Sequence, residues 1–158
     1  MRHLTMDVNI LVRGSSVGSE HHVESNSLMR YLERGNNCAI VMDNEDLIKH
    51  QYKKRLKEPS YGSKWLKSML LGKKVVFVDR AVIPQGVRVK LKTRGFDDED
   101  FKYYIRTCAN SCCKVIATYD IHFYEVGTIL WNKLNIKVKS SIDAEEFARN
   151  GSCGTCDV

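Results

Sequence analysis

Three aspartates, Asp7, Asp100 and Asp120, each stand where an apolar, strand-like segment ends or a helix begins. In a parallel α/β sheet such positions gather at the carboxyl ends of the strands, where ligands bind. Carboxylates brought together there repel one another unless a positive charge lies between them. A divalent cation with oxygen ligands is the usual source of that charge in proteins. The three aspartates therefore predict a metal site.

The charge of the chain points to a polyanionic partner. The sequence has 25 Lys and Arg against 19 Asp and Glu, a formal net charge of +6 and a pI near 9.0. The acidic residues of interest are spread singly, whereas basic residues cluster in segments 53–55, 73–74 and 88–94. An acidic centre with a basic rim suits phosphodiester chemistry, so a nucleic acid is the expected partner.

Length and composition predict one globular domain. The chain has 158 residues, of which 43% are hydrophobic and 28% are charged, and these values are ordinary for a folded domain. We expect residues 1–150 to form it, followed by a flexible, cysteine-containing tail at 151–158. No apolar run approaches the length of about eighteen residues that a membrane span needs, and the N-terminus does not resemble a signal peptide. A cytoplasmic protein with free thiols is expected.

Strand-like and helix-like segments alternate along the chain. Strands are expected at 4–12, 38–42, 114–118 and 136–138, and either a strand or an extended edge segment at 75–78. Helices are expected at 24–34, 44–57, 61–71, 97–110, 123–134 and 143–149, the last with Ser141 as its cap. Segment 84–95 shows no regular pattern. This alternation predicts an α/β fold, with a central, mostly parallel sheet between two layers of helices.

Four ordered segments together resemble a PIN domain. They are Met6-Asp7-Val8-Asn9-Ile10-Leu11; Ile40-Val41-Met42-Asp43 leading into Leu47-Ile48-Lys49-His50-Gln51-Tyr52; Gly95-Phe96 with Asp100-Phe101; and Ala117-Thr118-Tyr119-Asp120 with Phe123. The resemblance extends over about residues 4 to 140. It implies a metal-dependent nuclease that cuts mostly single-stranded RNA, with carboxylates around one or two Mg²⁺ or Mn²⁺ ions.

The resemblance also implies roles for individual residues. Asp7, Asp100 and Asp120 match the carboxylates that hold the metal. Asn9 and Thr118 match polar residues that orient these carboxylates without touching the metal themselves. Hard cations prefer such oxygen ligands, and bound metal activates water and stabilises charge on the scissile phosphate.

Gln51 is the main departure from the family pattern. The family usually has a glutamate at this position, and a glutamine offers a carbonyl oxygen but neither negative charge nor a base. Three explanations stay open: an enzyme with three carboxylates, a degenerate copy, or an alignment that is off by a few residues. Asp43, at the end of a predicted strand, is a further acid within reach of the site.

Each acidic residue also has a purely structural explanation. Asp7 could be a turn or capping aspartate, although it interrupts an apolar segment where an unpaired charge is costly. Asp100 belongs to the acidic run 97–100, which could serve a helix dipole, and Asp97 or Asp98 could then be the true site member. His122 lies two residues after Asp120 and is expected at the surface or behind the metal ligands.

Two basic segments are candidates for contacting RNA. Lys54 and Arg55 follow Gln51 by three and four residues, on the same helix face, although such runs are often simply solvated. A second candidate is an alternating set that would make one side of an extended segment cationic, formed by Arg88, Lys90, Lys92 and Arg94. Among the aromatic residues, Tyr103 is a candidate for stacking on bases, and Tyr104 and Trp65 are expected in the core.

The tail has a Cys-x-x-Cys motif, Cys153-Gly154-Thr155-Cys156, which suits half a zinc site or a redox pair. Cys112 and Cys113 would complete four ligands if the tail folded back. Cys38 and Cys108 are expected to pack in the core.

The leading hypothesis is a metal-dependent endoribonuclease of the PIN class, in which the metal activates a water. The alternative is a catalytically silent PIN-like module that binds RNA or a protein partner. Small free-standing PIN proteins are often toxins inhibited by a small antitoxin, and dimers are common among them. The resemblance therefore also makes an antitoxin and a second copy of the chain candidate partners.

Overall fold

The computed structural model describes residues 1–153. Five strands form its centre: β1 (Arg2–Met6), β2 (Cys38–Asp43), β3 (Val75–Val78), β4 (Val115–Ala117) and β5 (Lys137–Lys139). They lie side by side in the order β3-β2-β1-β4-β5, and every neighbouring pair is parallel. The segment at 75–78 is thus a strand.

Helices connect the strands throughout the described chain. They are α1 (Val8–Ser15), α2 (His22–Arg34), α3 (Leu47–Arg55), α4 (Tyr61–Leu71), α5 (Gln85–Thr93), α6 (Asp98–Asp100), α7 (Arg106–Asn110), α8 (Ile121–Glu125), α9 (Gly127–Leu134) and α10 (Ser141–Asn150). A π-helical segment, Phe101–Ile105, joins α6 to α7 without a break. Among residues 1–153, no helix has both the length and the apolar character needed to cross a membrane.

The sheet is covered on both faces. All six residues of β2 are buried, although successive side chains of a strand point to opposite faces. Continuous burial of this kind is typical of a parallel sheet between two helical layers. The predicted α/β/α architecture is therefore confirmed, with a sheet that is parallel throughout.

The strand order changes direction beside β1. Chain connections run from β1 to β2 on one side, whereas β4 lies on the other side of β1. The carboxyl ends of β1 and β4 therefore flank the point where the strand order changes direction. In open α/β sheets, ligands bind in the crevice at such a point.

The expected strand at 4–12 is wrong in its second half. β1 ends at Met6, and α1 begins at Val8. The reason is local, because Asp7 has extended backbone angles and its side chain accepts the Asn9 backbone N–H, which starts the helix. The apolar residues after Asp7 are buried at helical spacing, not on one face of a strand.

The basic segment after Pro84 is a helix, so the expected extended, one-sided cationic strip is wrong. Val87 and Leu91 are buried four residues apart, which fixes the inner face of α5. At about 100° per residue, side chains two positions apart lie on different faces of a helix. Arg88 and Lys92 thus share one side of α5, and Lys90 lies on another.

The remaining differences concern element ends. The helix expected at 97–110 is present, with the π-helical segment inside it. The one expected at 123–134 starts earlier and is divided into α8 and α9 at Val126. Ser140, not Ser141, caps α10, because its side chain accepts the backbone N–H of Asp143.

Candidate metal centre

Two of the predicted ligands follow adjacent strands. Asp7 comes directly after β1, and Asp120 lies shortly after the end of β4. The strands are in register, with Met6 opposite Ala117, and the Asp7 backbone N–H donates to the Ala117 carbonyl at 2.9 Å. Both aspartates therefore lie at the carboxyl edge of the sheet, where the strand order changes direction.

Thr118 connects these two aspartates. Its side chain is fully buried, and its hydroxyl donates to Asp7 Oδ2 at 2.7 Å. The Thr118 hydroxyl oxygen in turn accepts the Asp120 backbone N–H at 2.9 Å. One hydroxyl thus fixes the direction of the Asp7 carboxylate and the start of the Asp120 turn. Thr118, which the resemblance predicts to orient the carboxylates, thus contacts both aspartates.

Asn9 contacts the other side of the Asp7 carboxylate. Its backbone N–H donates to Oδ1 at 3.2 Å and its side-chain amide donates to Oδ2 at 3.3 Å. Asp7 therefore caps α1, as its structural explanation proposed, and its buried carboxylate is also held in one orientation by neutral donors. Capping and metal binding are compatible, because a carboxylate has about four lone-pair sites.

The charge on Asp7 is poorly compensated. Burial raises the pKa of the Asp7 carboxyl, hydrogen bonds from Thr118 and Asn9 lower it, and the negative charge of Asp120 raises it further. Arg55 also lowers this pKa, which places its charge within range of Asp7. Within residues 1–153, neither Asp7 nor Asp100 forms an ion pair with a lysine or arginine.

Asp100 belongs to the same electrostatic centre. Burial raises its pKa to about 7, and the nearby charges of Asp7, Asp97 and Asp120 add to the effect. Asp97 instead caps α6, since its Oδ1 accepts the backbone N–H groups of Glu99 and Asp100. Asp98 is exposed. Asp100 is thus a member of the acidic run whose pKa responds to the charges of both Asp7 and Asp120.

Gln51 is tied to the site through Tyr104. The Tyr104 hydroxyl donates to Gln51 Oε1 and accepts the Val8 backbone N–H at 3.1 Å. The neighbouring Tyr52 donates its hydroxyl to the Met6 carbonyl. Two buried tyrosines thus hold the chain on either side of Asp7. Helical spacing indicated a core position for Tyr104, which is confirmed, but it gave no sign of this polar contact.

Asp43 has a structural role. It is fully buried, and its carboxylate accepts backbone N–H groups from Glu45, Leu47 and Ile48 at 3.1, 3.0 and 2.8 Å. These bonds occupy both oxygens and hold the chain that leads into α3.

His122 contacts Asp120 from the solvent side. Asp120 Oδ1 lies 2.9 Å from the His122 backbone nitrogen and 2.8 Å from its ring Nδ1. This hydrogen bond to the carboxylate raises the pKa of His122. The ring is thus placed behind an Asp120 oxygen, as expected for a histidine that orients a ligand.

The basic candidates differ in how they relate to the site. Arg88 lies over the ring of Phe101, the residue after Asp100, at 5.7 Å. The charge of Arg55 lowers the pKa of Asp7. The other predicted RNA contacts are exposed on α3, on α5 or directly after α5: Lys54, Lys90, Lys92 and Arg94. Trp65 is fully buried, as expected, and Tyr103 is partly buried.

The donor set fits a hard divalent cation. It consists of carboxylate oxygens, it carries excess negative charge, and neutral donors fix its most buried member. The three carboxylates do not form a tight cluster. In the described chain, three His, Cys, Asp or Glu ligand atoms within 4.8 Å of one another occur only among cysteines. Comparison with family models and with curated proteins found no match. The PIN resemblance therefore stays a prediction.

The raised pKa of Asp100 predicts how stability depends on pH and metal. In the unfolded chain this carboxyl titrates near 3.8, and in the folded protein near 7. The folded state therefore binds the extra proton between these values, so metal-free protein loses stability as pH rises through this window. A bound cation removes the repulsion between ionised carboxylates. Thermal denaturation should show a larger stabilisation by Mn²⁺ at about pH 8 than at about pH 5.

Asp100→Asn is the control for that measurement. It removes the titrating group, so the decline in melting temperature across this window should become shallower. An equal Mn²⁺ effect at both pH values in the unsubstituted protein would contradict a carboxylate site.

Proposed function

We propose that the protein is a metal-dependent endoribonuclease that cuts single-stranded RNA. The observation that carries this proposal is the Thr118 hydroxyl joining Asp7 and Asp120 at the carboxyl edge of a parallel sheet. Asp100, with its raised pKa, adds a third carboxylate to this centre. Such a group of acids is costly to fold unless it binds cations.

Asp7, Asp100 and Asp120 would hold Mg²⁺ or Mn²⁺. When bound, the metal supplies an activated water and charge stabilisation at the scissile phosphate. Thr118 and Asn9 keep the Asp7 carboxylate in a fixed direction, and His122 does the same for one Asp120 oxygen. The side-chain carbonyl of Gln51 accepts a hydrogen bond from Tyr104, so Gln51 helps to position Tyr104 but adds no charge to the site.

Two basic side chains associated with these carboxylates, Arg55 and Arg88, would bind the RNA backbone. Arg55 is exposed on α3 and its charge reaches Asp7, whereas Arg88 is exposed on α5 beside Phe101. Arg55 affects the pKa of Asp7 and Arg88 contacts the residue after Asp100, so an RNA strand that contacts both arginines would lie near these carboxylates. Phosphate contacts of this kind give affinity without sequence preference.

Gln51 supports a second candidate, a silent module that binds RNA or a protein partner. An uncharged residue at this position lowers the affinity for a cation, because affinity follows the number of charged ligands. Under this candidate the carboxylates would be remnants and the basic helices would retain the binding function.

Cleavage of a labelled mixture of single-stranded RNAs tests the proposal. Mn²⁺ or Mg²⁺ is added with and without EDTA, and the unsubstituted protein is compared with Asp120→Asn. Asp46→Asn is a matched control, because Asp46 is an exposed aspartate with a left-handed backbone conformation that asparagine also tolerates. Cleavage that needs both the metal and Asp120, and that survives Asp46→Asn, supports the nuclease.

The two candidates give different results in this assay. A silent module would bind RNA without cutting it, and Asp120→Asn would leave the affinity equal or higher, since one negative charge is removed. Cutting that continues in EDTA or in Asp120→Asn would mean that a contaminant or another site is responsible.

A further inference from the structure

We propose that Cys112, Cys113 and Cys153 bind a zinc ion. The Sγ atoms of the first three all lie within 4.8 Å of one another. Cys156 follows Cys153 at Cys-x-x-Cys spacing and lies outside the described residues. The three described cysteines come from two distant parts of the chain, so folding brings them together.

The distances between the sulfur atoms suit a tetrahedral zinc site. With Zn–S bonds of about 2.3 Å, two sulfurs of a tetrahedron lie about 3.8 Å apart. Cys153 Sγ is 3.9 Å from Cys112 Sγ. In addition, the backbone N–H of His3 donates to Cys113 Sγ at 3.2 Å, and such a donor stabilises a thiolate ligand.

The cysteines lie at the opposite edge of the sheet from the carboxylates. Cys112 and Cys113 precede β4, whereas Thr118 and Asp120 follow it. Thiolates select zinc and carboxylates select magnesium or manganese, so the two sites differ in both place and preferred metal.

A zinc ion here would attach residues 151–153 to the sheet. Cys153 follows α10 by three residues, and Arg2 of β1 already holds the end of that helix, donating to the carbonyls of Gly151 and Ala148. A bond from Cys153 to a metal shared with Cys113 would close this contact between α10, β1 and the start of β4. Residues 151–153 would then belong to the domain and not to a flexible tail.

The redox state decides whether the site can form. Cys112 is disulfide-bonded in the structure, so the expectation of free thiols throughout is wrong for this residue. A dithiol reductant supplies the two electrons and two protons that convert a disulfide to two thiols, and is itself oxidised to a disulfide. Zinc binding then releases the thiol protons.

Metal analysis of the full chain tests the proposal. The protein is reduced with a dithiol, dialysed with Zn²⁺ in excess Mg²⁺, and freed of loose metal. We expect about one tightly held zinc per chain, and less than about a tenth of that in Cys113→Ser or Cys153→Ser. Cys38→Ser is the control, because Cys38 is buried in β2 outside the cluster and should leave the zinc content unchanged.

A second measurement covers variants that fold poorly. Co²⁺ added to the reduced, unsubstituted protein should give the intense visible bands of a tetrahedral site and a sulfur-to-cobalt charge-transfer band. Asp7→Asn should retain both. Reduced, folded protein that holds no zinc and shows no such bands would overturn the proposal, as would zinc that persists in both Cys113→Ser and Cys153→Ser.

Discussion

Asp7→Asn should raise the melting temperature of the metal-free protein and lower metal-dependent RNA cleavage by more than about 100-fold. We expect this activity loss because substituting a residue that only orients a metal ligand already lowers activity about 10–100-fold, and Asp7 would bind the metal itself. The gain in stability follows from the environment of Asp7, whose pKa is raised by burial and by Asp120. Asparagine removes that buried charge and can still cap α1.

Thermal denaturation and cleavage assays on the same preparation check both parts. Asp43→Asn is the contrasting control. Asp43 is equally buried, but its three donors are all backbone N–H groups, whereas two of the three donors to Asp7 are side chains that can reorient. An amide has one acceptor oxygen, so this substitution should lower the melting temperature. If Asp7→Asn also lowered it, Asp7 would be a structural cap and the argument for a metal centre would lose its most buried ligand.

Gln51→Glu should lower the Mn²⁺ concentration that gives half-maximal activity by about tenfold, because affinity for a hard cation rises with the number of charged ligands. A glutamate at this position retains the acceptor for the Tyr104 hydroxyl, so the local packing is preserved. The same added charge should lower the melting temperature of the metal-free protein, since it increases repulsion around Asp7. Metal titration of the cleavage rate measures the first effect, and thermal denaturation measures the second.

Gln85→Glu is the matched control for this experiment. Gln85 is exposed in the first turn of α5, so a glutamate there adds the same charge on a different helix from Gln51. It should leave the metal dependence unchanged. If Gln51→Glu behaved like Gln85→Glu, the position would not face the metal, and the alignment behind the resemblance would need to shift.

The fold could be predicted from the sequence where local signals agree. Segment 61–71 has apolar residues at helical spacing and ends before Gly72, and α4 has these bounds. The strand predicted at 4–12 is wrong after Met6. Its β-branched residues favour a strand, whereas the capping bond to the Asp7 side chain starts a helix at Val8. Segment 84–95 shows no regular pattern in the sequence because its basic residues alternate, and only the burial of Val87 and Leu91 shows the helix.

The site was predictable to the extent that strand ends determine it. Asp7 and Asp120 follow strands, and parallel pairing brings them to one edge. The contact between Gln51 and Tyr104 joins residues far apart in sequence, and it depends on the direction of a buried hydroxyl. The role of Asp43 was equally hidden, because it depends on which backbone N–H groups the chain leaves unpaired after the strand.

The π-helical segment after Asp100 has a consequence for how this site tolerates insertions and deletions. The Arg106 backbone N–H donates to the Phe101 carbonyl, five residues back, so this turn holds one residue more than an α-helical turn. Thr107 and Cys108 anchor α7 in the interior. Losing one residue between them and Asp100 would restore a regular helix and turn Asp100 by about 100° around its axis, away from Asp7. The length of this turn therefore determines whether the Asp100 side chain lies on the Asp7 side of the helix.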